Sequence, residues 1–74
     1  MKNNIIEISP LQARKIALCE AGVDSASFNR QRLVNDGAGS MYELDFTARG
    51  MCYSCYIDAI DGSVPGFFVT PDAA

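Results

Sequence analysis

The sequence predicts an α+β fold in which one N-terminal α-helix packs on a three- to four-stranded antiparallel β-meander. Three observations carry this reading. A capped segment near the start holds a stripe of alanines at helical spacing, two later segments alternate apolar and polar residues about Arg49-Gly50, and Asp- and Gly-rich turns punctuate the rest.

The helix is expected over about residues 10–21. Ser9 can cap it, Pro10 occupies the first helical position where a missing N–H costs nothing, and Gln12 completes a Ser-x-x-Gln capping box. Ala13, Ala17 and Ala21 fall at i, i+4 and i+8, with Leu11 and Leu18 to one side and Ile16 to the other. The small stripe lets the helix approach its support closely. Gly22 suits a left-handed C-cap, followed by Val23 placed against Leu18 as in a Schellman motif.

After Asp24 the period changes. Residues 26–34 alternate imperfectly, with Phe28, Leu33 and Val34 apolar, and are expected as an edge strand. Asn35-Asp36-Gly37-Ala38-Gly39 reads as a turn. In the strand expected over 41–48, Tyr42, Leu44 and Phe46 alternate with Glu43, Asp45 and Thr47. Arg49-Gly50 connects it to a return strand over 51–59, where Tyr53, Cys55 and Ile57 join the inward set. Cys52, Ser54, Tyr56 and Asp58 face outward. Asp61-Gly62 marks another turn, and Pro65 restricts the last strand, over 64–69, to a short or edge position. The tail from Pro71 is expected to be loose, and residues 1–74 are expected to form one domain.

Composition narrows the function. The chain has 74 residues, 49% of them hydrophobic, with six Lys/Arg against nine Asp/Glu and no His or Trp. A net charge of −3 without a basic run argues against nucleic acid, because phosphate binding needs clustered cations. Arg30 and Arg32 read as a solvated face. No apolar run approaches the ~20 residues of a membrane helix, so no membrane insertion by this segment is expected. Met1 to Ile8 is too short for the regions of a signal peptide, which fits either a cytosolic protein or a domain of a longer exported one.

The chemistry-bearing residues favour plain explanations. Cys52-Tyr53-Ser54-Cys55 has the spacing of redox and zinc sites, but residues three apart on a strand point to opposite faces. Cys55 is therefore expected in the core, Cys52 outside, and Cys19 exposed on the helix. Asp58, Asp61 and Gly62 lack the further oxygen ligands of a calcium loop. Glu43 and Asp45 are neighbours on an open face, without the cleft that acid–base work needs. Without His, a Ser–His triad is impossible. No catalytic residue, cofactor or metal is expected. Tyr56, outward beside Glu43, Asp45 and Ser54, suggests an amphipathic contact surface instead. Phe67 and Phe68 are adjacent, so one of them must face away from the core.

Taken in order, these segments resemble the PepSY domain, found in propeptides of thermolysin-type peptidases and in bacterial envelope proteins. The resemblance runs from Ile8 to Val64. It rests on Ala13, Ile16, Ala17, Leu18 and Ala21-Gly22 in the helix, on Tyr42-Glu43-Leu44-Asp45-Phe46, and on Gly50, Tyr53, Ile57-Asp58-Ala59, Gly62 and Val64. Where the family often carries acidic residues and a tyrosine, this chain has Cys52, Ser54 and Cys55, so its outward face is less acidic. The resemblance implies a non-enzymatic protein-interaction module that inhibits or regulates a peptidase, with a metallopeptidase as partner and an extracellular or cell-envelope location. The contact surface expected for it comprises Glu43, Asp45, Thr47, Ser54, Tyr56, Phe67 and Phe68, as a sheet face or through the 64–69 edge. The alternative is a structural or sensory spacer of a larger bacterial surface protein, with no peptidase partner.

Overall fold

A computed structural model describes residues 7–36 and 39–72. The chain forms one helix followed by four strands: α1 (Pro10–Ala21), β1 (Ser27–Asp36), β2 (Gly39–Ala48), β3 (Met51–Asp58) and β4 (Gly66–Pro71). The strands make one antiparallel sheet in the order β1-β2-β3-β4, an unbroken meander with α1 laid across one face.

Helix α1 begins and ends on the expected signals. The Ser9 hydroxyl accepts from the Gln12 N–H at 3.1 Å, and the Gln12 side chain accepts from the Ser9 N–H at 2.8 Å. At the other end Gly22 is left-handed (φ 73°), Val23 N–H reaches the Leu18 carbonyl, and Gly22 N–H reaches that of Cys19. Ala13 and Ala17 are fully buried against the sheet. Leu11 departs from the expected stripe and is 61% exposed, because two residues before buried Ala13 it points to the opposite side of the helix, and nearby the Gln31 side chain donates to the Pro10 carbonyl.

The core lies between α1 and the sheet. Tyr42, Leu44 and Phe46 of β2 and Tyr53, Cys55 and Ile57 of β3 form its floor, as their alternation requires, with Ala59 just beyond. A row of rings crosses all four strands on the helix side of the sheet: Phe28, Phe46, Tyr53 and Phe67, with successive centroids 5.0, 4.9 and 5.8 Å apart. Arg14 of α1 sits 4.6 Å from the centre of the Phe28 ring.

Three sequence expectations shift. The imperfect alternation of β1 is a bulge: Phe28 pairs with Phe46 and Arg30 with Asp45, leaving Asn29 as the extra residue. Strand β4 starts at Gly66 rather than Val64, because Ser63 accepts from the Asp58 N–H and Val64 turns down to pack on the core. The expected loose tail is pinned in part: Pro71 pairs with Met51, and the Asp72 N–H donates to the Gly50 carbonyl. Of the expected turn at 35–39, residues 37 and 38 lie outside the described residues, and β1 and β2 extend to Asp36 and Gly39. Ile8, at the end of the leading segment and the start of the resemblance, packs on the core. Its N–H bonds the Ala59 carbonyl, and its own carbonyl accepts from the Tyr42 hydroxyl.

Candidate functional site: the open sheet face

With α1 on one side, the alternation of the strands sends a second set of side chains to the other. Cross-strand registry arranges them in rows. One row runs Arg32, Glu43, Tyr56, Gly66; the next runs Arg30, Asp45, Ser54, Phe68; a third holds Ser27, Thr47, Cys52 and Thr70. Five of the seven residues expected at a partner surface, Glu43, Asp45, Thr47, Ser54 and Tyr56, share this face, and Phe68 joins them. Phe67 does not. It lies on the helix side as the fourth ring of the core row, since adjacent strand residues point to opposite faces.

The face is divided by chemistry. On the β1–β2 side the charges are matched: Arg32 Nε lies 2.9 Å from Glu43 Oε1, and Arg30 Nε 3.8 Å from Asp45 Oδ2. Asp45 also accepts from the Ser54 hydroxyl at 3.0 Å. These are exposed pairs, each worth about 0–1 kcal/mol, and they neutralise the carboxylates more than they hold the fold together. Both arginines lie on a solvated face, as expected, with side chains 59% and 58% exposed. The bulge at Asn29 is what reverses their parity and sets them opposite the carboxylates.

On the β3–β4 side the face is aromatic. The Tyr56 ring lies over Gly66, where a Cβ would approach its Cδ2 to 3.0 Å, and meets the Phe68 ring edge-on at 6.1 Å. Glycine at 66 thus gives Tyr56 a flat seat on the neighbouring strand, and the ring in return covers that bare backbone. Phe68 is 58% exposed. The result is an aromatic pair beside a neutralised charged strip.

The other singled-out groups separate from this face or from one another. Cys55 is fully buried, Cys52 is half-buried on the open face, and Cys19 is exposed on α1, so the Cys-x-x-Cys thiols point apart. Burial, with Glu20 adding to it, pushes the Cys55 thiol up to about 11, the reverse of what a nucleophilic thiolate needs. The Asp58 carboxylate accepts from the N–H groups of Ile60 and Asp61, and Asp61 accepts from that of Ser63, which holds its carboxyl below the usual carboxylate range. Turn formation occupies both. Among the described residues no helix is long and apolar enough to cross a membrane, and no cluster of His, Cys, Asp or Glu is arranged to hold a metal.

No family model matches the chain, and neither a curated protein nor a solved structure is found to be similar to it.

Proposed function

We propose that the chain is a non-catalytic protein-interaction module of PepSY type that restrains or regulates a peptidase in the cell envelope, using the open sheet face as its contact surface. The observation that carries this reading is the Tyr56–Phe68 pair, an aromatic patch on a sheet face that no described part of the chain covers. Aromatic side chains with a polar tip suit protein contacts, because they bury area at low entropic cost while the hydroxyl keeps a hydrogen bond. The neighbouring ion pairs act as a polar rim that fixes orientation.

The test is a titration of the purified chain against a thermolysin-type peptidase, following binding and cleavage together. Saturable inhibition without cleavage of the chain is the expected outcome. Digestion without inhibition, or no binding, removes the peptidase reading. It would leave the structural spacer, a reading supported by the anchoring of Ile8 and Asp72 at opposite ends of β3.

A further inference from the structure

The two outer strands of the sheet are defended unequally. Edge strand β1 carries a bulge at Asn29 and then Arg30, Gln31 and Arg32, the charged and irregular features that discourage pairing with another chain. Edge strand β4 reads Gly66-Phe67-Phe68-Val69-Thr70-Pro71 and holds no charge. Its Phe68 and Val69 are 58% and 41% exposed.

The hydrogen-bond parity of β4 follows from one bond. The Asp72 N–H donates to the Gly50 carbonyl at 2.9 Å, which makes Gly50 and Asp72 a bonded rung. Rungs alternate in an antiparallel ladder, so Cys52–Thr70, Ser54–Phe68 and Tyr56–Gly66 are bonded as well. Phe67 and Val69 therefore aim their N–H and C=O groups out of the sheet. Pro71 belongs to the same outward set, the one place in this strand where its missing N–H costs β3 nothing. Pro65, two residues before Phe67, stands in the bend that leads into the strand.

We propose that a second copy of this chain adds to β4, antiparallel, about a two-fold axis passing through Phe68. The outward groups of β4 are arranged symmetrically about that residue. Phe67 meets Val69 of the copy and Val69 meets its Phe67, each pair exchanging both backbone bonds. Pro65 falls opposite Pro71 of the copy, so the ladder stops at the same rung on both strands. Phe68 meets its own counterpart on the open face, and Val69 meets Phe67 on the helix face, so each face gains an apolar cross-strand contact. The contact is isologous and closed, and the charged, bulged β1 edges at its two ends oppose further growth. This pairing uses the edge and needs no peptidase partner, although Phe68 belongs to both surfaces.

Sedimentation equilibrium over a concentration series, in reductant so that exposed Cys19 forms no crosslink, tests it. The chain is expected to dimerise reversibly, with the Phe67 and Val69 amides exchanging more slowly as concentration rises. Phe68→Lys and Phe68→Glu place like charges opposite each other, and each alone is expected to weaken association by at least about tenfold. An equimolar mixture of the two variants is expected to regain it, since opposite charges then face across the axis. Circular dichroism verifies that each variant is folded. A wild-type chain that stays monomeric to about millimolar concentration overturns the proposal, as do folded variants that dimerise like the wild type, or a mixture that regains nothing. If a variant fails to fold, the concentration dependence of the two wild-type amides decides alone.

Discussion

Arg49 and Gly50, the two residues between β2 and β3, both have positive φ (54° and 75°), the pattern of the tight turn that matches strand twist. Glycine enters that region freely, whereas arginine is held there against a steric cost of about 1–2 kcal/mol. Arg49→Asn is therefore expected to raise stability by about 0.5–1 kcal/mol, and Gly50→Ala to lower it by about 1 kcal/mol or more, both read from urea unfolding midpoints. Cys55 makes a different statement about the fold. Its thiol keeps its proton up to about 11 in the native protein but loses it near 9 once unfolded, so its contribution is intact below 9 and is lost as pH rises from 9 to about 11. Cys55→Ala should flatten stability over that alkaline window, and an alkylating reagent should label Cys19 first and Cys55 only on unfolding. The inward place of Cys55 was legible from alternation alone. The raised pKa was not, because it depends on the helix that covers it.

Among the elements, α1 was the most legible, since caps and a period-four alanine stripe act locally and need no partner to be recognised. Its depth was also encoded: with only methyl groups at Ala13 and Ala17, it can settle directly onto Tyr42, Leu44, Cys55 and Ile57. Ala17→Leu is expected to cost about 1–3 kcal/mol by overpacking, whereas Leu11→Ala on the exposed side of the first turn should stay within about 0.5 kcal/mol. Thermal melts of the two variants separate these expectations. The edge strands were read less well. The parity of β1 turns on one inserted residue, Asn29, and a bulge leaves no compositional mark there. Strand β4, expected over 64–69 with a loose tail from Pro71, instead runs on to Pro71, which takes its place beside Met51 as the last residue of the strand.

At the scale of the molecule, four strands in sequence order with a helix on one side leave a face whose membership could be written down from alternation, except for the Phe67–Phe68 step and the arginines displaced by the bulge. Removing the ring that anchors its aromatic half, by Tyr56→Ala, is expected to leave the circular dichroism spectrum unchanged and to weaken peptidase binding by at least about tenfold. Unchanged affinity would move the contact away from this face. The anchoring of Ile8 to Ala59 and of Asp72 to Gly50 has a consequence of another kind. The two ties grip β3 from its opposite tips, so a stretching force applied between Ile8 and Asp72 would run lengthwise along the strands. Load of that sort strains the β3–β4 rungs in shear, together rather than one after another, and the sheet would give way as a clasp does when pulled along its length, not as a zip opened from one end.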